Sequence, residues 1–211
     1  GTPRIIAVEI QSAPRAWNHT NAVDAFIESL SEIVSWNWCG AIICVEHCDA
    51  LNNMYAPAKG FLNLEDEISA VQTVRAQHLL TDVGITINWG RSTIELRNPN
   101  TPSDHIQRCI DANVLKGIMY SGVSSEANSY GPAWADIHCP PRPETSDEPG
   151  EPSSILTARL LHKTRLIAGH LPLYDGIKIS IRPLKSSLRS RTRLYKYCLE
   201  QLNNIYPLEE R

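Results

Sequence analysis

The chain has 211 residues, 42% of them hydrophobic, and a formal net charge of -3 with a pI near 6.2. That much apolar content can bury a substantial core and excludes a disordered chain, and the acidic balance gives no general attraction to nucleic acid or anionic lipid. No apolar run reaches the roughly 18 residues of a membrane span, and the opening GTPRIIAV lacks the basic, apolar, small-residue order of a signal peptide.

Residues 5–10 (IIAVEI) form a short β-branched run expected to be a strand, followed by turn residues at Pro14 and from Asn18 to Asn21. Val23, Phe26, Ile27, Leu30, Ile33 and Val34 then recur at helical spacing over residues 22–36. Residues 41–46 are a second strand, and a helix over 64–82 opens with Glu65, Asp66 and Glu67, which suit the positive end of the helix dipole. A third strand is read at 84–89 (GITINW), a helix from Pro102 to about 112, and a fourth strand at 115–121 (LKGIMYS). Residues 122–152 form one long irregular region, a lid or a loose loop, whose second half is too rich in proline and charge to pack as an element. A helix over about 153–169, a fifth strand at 176–181 (GIKISI) and a helix over 187–206 complete the series.

Six scattered cysteines without a C-x-x-C pair point to a reducing cytoplasm, and Asn18-His19-Thr20 reads as a chance match to the glycosylation pattern. Strand and helix alternate five times, which argues for right-handed βαβ crossovers in a single domain over residues 1–211. Ile177, Ile179 and Ile181 alternate with Lys178, Ser180 and Arg182, and Ile85 and Ile87 with Thr86 and Asn88. An open doubly wound sheet should be apolar on both faces of its central strands, whereas a barrel tolerates polar groups inside near its active end. A (β/α)8 barrel of the TIM type is therefore favoured. Five units do not close it, so either the sheet is an open flavodoxin-like one or three βα units lie upstream of Gly1. A chain starting almost directly on a strand fits the latter.

Six stretches taken together carry a resemblance: EHCDA at 46–50, KGFL at 59–62, NWGRSTIELR at 88–97, YSG at 120–122, AWADIH at 133–138 and KISIRP at 178–183. With these the chain resembles the uncharacterised bacterial family catalogued as domain of unknown function 4862, in the xylose-isomerase-like TIM-barrel superfamily. The resemblance implies an N-terminally truncated member whose five strands correspond to strands 4 to 8 of the barrel. The superfamily holds sugar isomerases, epimerases, dehydratases and apurinic endonucleases, so it constrains fold more than reaction.

Catalytic groups of such barrels sit at the carboxyl ends of strands. Those positions supply Glu9, Gln11 and Ser12; Glu46, His47 and Asp49; Asn88, Arg91 and Glu95; Ser121; and Lys178, Ser180 and Arg182. Glu46, His47, Asp49 and Lys178 are the catalytic candidates, with Glu46 the base because it alone continues the inward register of its strand. Glu9, Asn88, Trp89, Arg91 and Arg182 are the candidate substrate contacts. The resemblance implies a divalent metal on carboxylates and histidines, for which Glu46, Asp136 and His138 are the nearest matches. Asp136 and His138 sit one residue closer than the Asp-x-x-His pair of such enzymes, and the last strand offers cations where relatives supply a carboxylate. Lys178 could instead form a Schiff base, clamp an anion with Arg91 and Arg182, or pair with Glu9 or Glu46. Zinc on Cys44, His47 and Cys48 is disfavoured because Cys44 and His47 fall on opposite faces of the strand. The expectation is a small-molecule enzyme of carbohydrate metabolism, an isomerase or epimerase working by proton transfer without nucleic-acid or membrane partners. The alternatives are a barrel that binds a sugar or anionic metabolite without chemistry, and an inactive fragment.

Overall fold

In a computed structural model of the chain, residues 5–12, 22–51, 53–78 and 82–203 are described. Their elements run β1 (Ala7–Gln11), α1 (Ala22–Ser35), β2 (Ile42–His47), α2 (Leu64–Gln77), β3 (Val83–Asn88), α3 (Trp89–Leu96), α4 (Thr101–Asp111), β4 (Leu115–Tyr120), α5 (Ala158–Ala168), β5 (Tyr174–Ile177) and α6 (Leu188–Asn203). All strand pairs are parallel, and the order across the sheet, β1-β2-β3-β4-β5, repeats the order along the chain.

That order decides between the two sheets left open by the sequence. A doubly wound sheet reverses its strand order at a switch point, and flavodoxin-like sheets do so after the first strand. Here the order never reverses, so right-handed crossovers carry every helix to the same face, and consecutive helices α1–α2, α3–α4, α4–α5 and α5–α6 pack side by side. The result is a curled parallel half-barrel with its helices outside. The curl brings the edge strands within reach of each other: Tyr174 of β5 donates its hydroxyl hydrogen to Glu9 Oε1 of β1 at 2.8 Å.

Period-two alternation sorts the strand residues onto two faces. Ile43 and Val45 of β2, Val83, Ile85 and Ile87 of β3 and Ile118 of β4 pack outward against Leu30, Val71, Val74, Ile106 and Leu161 of the helices. The concave face carries Glu9, Gln11, Cys44, Glu46, Thr86, Asn88, Gly117, Met119, Tyr174 and Lys178. Gly117 is needed there, since a Cβ would intrude on the Tyr174 ring and fall 2.8 Å from Thr86 Oγ1. Gly117→Ala is expected to cost about 1–3 kcal/mol through overpacking, read as a lower urea midpoint at unchanged m-value.

Three expectations need correction. Residues 89–96 are a helix, because Asn88 both ends β3 and caps α3, its Oδ1 accepting from the Arg91 N–H at 3.2 Å. The fifth strand is Tyr174–Ile177, and Ile179 and Ile181 lie beyond it, where with Ile177 they pack on Leu194, Tyr197 and Cys198 of α6. Residues 122–152 are not loose. Gly122 pairs with Cys139 and Ser124 with Ser154, the Arg142 N–H donates to the Leu156 carbonyl at 2.8 Å, and Val123, Ile137, Cys139 and Leu156 are buried. The expected turn at Pro14 and Asn18 to Asn21, and the far ends of the helices expected over 64–82 and 187–206, lie outside the described residues. Among the described residues no helix is long and apolar enough to cross a membrane.

Candidate functional site

The concave face gathers a polar group around Glu46. Its carboxylate is buried, accepting from Asn88 Nδ2 at 2.8 Å on Oε1 and from Gln11 Nε2 at 3.3 Å on Oε2. Because the Asn88 amide oxygen is committed to capping α3, its NH2 is held toward Glu46, so one side chain ties helix start to carboxylate orientation. Lys178 Nζ stands 3.9 Å from Glu46 Oε1, with 40% of its side chain exposed. Tyr174, which donates to Glu9, also shares a hydrogen bond of 2.5 Å with Thr86 Oγ1. Beside this group lies a cavity of about 700 Å³ lined by Glu9, Met119, Tyr174, Ile177, Lys178 and Tyr195 among others.

Burial pushes the Cys44 thiol up to about 11 and the Cys48 thiol likewise to about 11, so neither supplies a thiolate at neutral pH. Burial is also the main cause that raises the Tyr174 pKa above the ordinary phenol value.

Above the strand ends a second layer is closed by ion pairs. Arg91 bonds Asp49 through Nη1 and Asp136 Oδ2 through Nη2 at 2.8 Å, while His138 Nε2 lies 3.0 Å from the same Asp136 oxygen. Asp49 also accepts from the Ala58 and Lys59 N–H groups at 2.7 and 3.2 Å. Asp49 thus anchors the loop, and Arg91 is engaged by two carboxylates instead of being free to clamp an anion. Burial works to raise the Asp136 pKa, but His138 and Arg91 outweigh it and hold the carboxyl below its ordinary value. A depressed folded pKa contributes stability that is present above the unfolded value, roughly 3.9, and is lost as pH falls through the folded value. Asp136→Asn should cost about 1–3 kcal/mol at neutral pH, and urea midpoints of variant and wild type should converge below about pH 4.

Other candidates are placed away from this pocket. Trp89 is fully buried at the start of α3 and presents no face to a ligand. Arg182 is exposed and bonds the neighbouring Ile181 carbonyl at 3.1 Å. His47, the last residue of β2, points to the helical side of the sheet, where Nδ1 lies 2.7 Å from Glu67 Oε2 and Nε2 3.1 Å from Glu95 Oε2. Burial lowers the affinity of His47 for a proton, but Glu67 and then Glu95 outweigh it and raise its pKa to about 10. Glu67 is raised as well, by its own burial, against the pull of His47 and Ser12.

The metal trio expected from the resemblance does not assemble. Glu46 has an ammonium beside it, Asp136 is taken by Arg91 and His138, and the group of ligand atoms that does converge among the described residues is His47, Glu95 and His105. Sequence reasoning missed Tyr174, two residues before Gly176 and four before Lys178, whose alternation would have put it on the same face. It also missed Glu67 and His105, which join His47 only because two helices fold over β2.

A family model described as Domain of unknown function (DUF4862) matches residues 1–194. An uncharacterized protein of Salmonella typhimurium is 36% identical over 183 residues, covering 84% of this chain and 53% of that protein. The chain thus spans about half the length of the curated relative it matches. Among solved structures, a psychrophilic glycoside hydrolase family 10 endo-beta-1,4-xylanase aligns at a TM-score of 0.42 and 13% identity, over 82% of this chain and 49% of its own.

Proposed function

This chain belongs to the DUF4862 family, whose description names no reaction, and we propose that it acts on a small sugar, polyol or related carbonyl compound by proton transfer, as an isomerase or epimerase does. The observation that carries the reading is the buried Glu46 carboxylate, fixed by Asn88 and Gln11 and facing Lys178 beside the cavity. A separation of 3.9 Å is longer than a hydrogen bond, so the pair can open around a substrate oxygen.

In this mechanism Glu46 withdraws a proton from the carbon next to the carbonyl, and the electron pair moves onto the carbonyl oxygen. The Lys178 ammonium stabilises the enolate charge that develops. The proton of the neighbouring hydroxyl passes to that oxygen, and Glu46 returns its own proton to the former carbonyl carbon, which leaves the carbonyl one carbon along and yields the isomer. Glu9, Asn88 and Tyr174 orient substrate oxygens, and the Asp49, Arg91 and Asp136 layer supports the rim. No step runs through a metal on Glu46, Asp136 and His138. The same reading takes the five strands as strands 4 to 8 of an eight-stranded barrel, supported by the unreversed strand order.

The test is a proton NMR screen of sugars and polyols in deuterated water, following exchange of the hydrogen next to the carbonyl. Lys178→Ala should lower the exchange rate by about 10²-fold or more through the lost electrostatic stabilisation. A ligand that raises the melting temperature without exchanging hydrogen would replace this reading with a non-catalytic binding barrel.

A further inference from the structure

On the face of the sheet opposite the proposed substrate pocket, His47 from the end of β2, Glu95 from α3 and His105 from α4 converge, each offering one ligand atom within 4.8 Å of the others. The two imidazoles meet edge to face with centroids 5.1 Å apart, and His47 Nε2 is 3.1 Å from Glu95 Oε2. We propose that this is a built site for a zinc-type divalent ion, held by His47, Glu95 and His105 with water in the fourth position.

Three features argue for it. The first is the support behind the ligands. A metal-binding histidine commonly engages its second ring nitrogen with a carboxylate or hydroxyl, which fixes tautomer and ring angle. Both histidines here are held in this way through Nδ1, His47 by Glu67 Oε2 at 2.7 Å and His105 by Ser92 Oγ at 3.0 Å. Glu67 is itself fixed by the Ser12 hydroxyl, which donates to Oε1 at 2.6 Å. Nε2 is then the nitrogen left to each ring for an ion.

The second is charge. Two carboxylates, Glu67 and Glu95, bracket the one buried imidazole of His47. A dication bound by the two imidazoles would answer both carboxylates in a water-poor layer. Two imidazoles and one carboxylate also suit zinc and its neighbours better than calcium or magnesium, which prefer all-oxygen sites.

The third is fit and access. Tetrahedral ligands about 2.0–2.2 Å from zinc stand roughly 3.4 Å apart, so the His47–Glu95 pair at 3.1 Å is already near that spacing and His105, within 4.8 Å of both, closes the remaining gap. Glu95 is the ligand able to adjust, since 16% of its side chain is exposed. It also lines a cavity of about 330 Å³ with Leu51, Asn53, Leu96 and Arg97, which gives the ion a path from solvent.

An ion here would tie the end of β2 to α3 and α4, behind the strand that presents Glu46. The assignment does not depend on the substrate chemistry proposed for the concave face.

The experiment is titration of the chelator-stripped full chain with zinc chloride, followed by calorimetry and thermal unfolding, with cobalt(II) absorption as the report of four-coordinate geometry. One equivalent should bind and raise the melting temperature, and cobalt should give the intense visible bands of a tetrahedral ion. Glu95→Gln, at the rim where folding tolerates it, should weaken zinc by about 100-fold, and Glu67→Gln, which only supports His47, by about 10–100-fold. Absence of stoichiometric binding would overturn the assignment. So would affinity that survives Glu95→Gln and His105→Ala but is lost in Asp136→Asn.

Discussion

Glu46→Gln is expected to lower turnover by about 10²–10⁴-fold, the range of a positioned general base, with the fold nearly unperturbed. The amide keeps an oxygen for the Asn88 Nδ2 donor at the Oε1 position and puts its NH2 where Gln11 Nε2 now donates from 3.3 Å. Gln11 can turn its own amide and present an oxygen there, so the stability change should stay near or below about 1 kcal/mol. The loss should therefore fall on kcat, with substrate affinity changed much less, because a base acts on the transition state. The measurement is the NMR exchange rate for whichever sugar or polyol turns over, beside a urea midpoint for the same preparation. Unchanged exchange in a folded Glu46→Gln variant would remove Glu46 from the mechanism.

Which residues share the concave face was legible because alternation along a strand is a local property. Glu46, Asn88 and Glu9 follow from counting along β-branched runs, and a strand-to-helix alternation repeated five times points to parallel crossovers. Where the reading slipped, a local pattern had a non-local cause. The isoleucines at 177, 179 and 181 alternate as a strand would, yet pairing to β4 stops at Ile177 and the alternation continues because α6 covers that side. The third strand, expected to run through Trp89, stops at Asn88 because that residue serves as strand end and helix cap at once.

The loop over 122–152 shows the same limit in reverse. Proline and charge predict failure to pack, and residues 144–147 are indeed exposed. The backbone on either side is tied by the Gly122–Cys139 and Ser124–Ser154 pairs, which join positions far apart in sequence and leave no local trace. His47 failed differently. Its register, one residue past Glu46, already assigns it to the opposite face, and naming it a catalytic candidate beside Glu46 set that aside, since β2 runs through His47. Its partners Glu67, Glu95 and His105 arrive on α2, α3 and α4, and only the packing of three helices on β2 brings them together.

The same cluster gives the largest expected effect on stability. Glu67 is wholly buried and ion-paired with His47, so Glu67→Leu strips a buried imidazolium of its nearest counter-charge. Removing one partner of a buried pair costs about 3–5 kcal/mol, whereas replacing both by apolar residues of similar volume is often neutral. In the presence of a chelator, Glu67→Leu should therefore lose about 3–5 kcal/mol in urea unfolding, and His47→Leu with Glu67→Leu should regain most of it. The pH dependence follows from the two shifts. His47, raised to about 10 against an unfolded value of roughly 6.5, and Glu67, also raised, make the folded cluster bind more protons than the unfolded chain. The Glu67 share of the pair's stability is complete only below roughly pH 4.3 and is lost as pH rises above it, while the His47 share is complete below about pH 6.5 and is lost as pH rises through about 10. Urea midpoints of the metal-free wild type should fall across that window, and those of the double Leu variant should stay nearly level. A wild type that gains stability over the same window would show that His47 is held neutral, and that its two carboxylates do not act as its counter-charges.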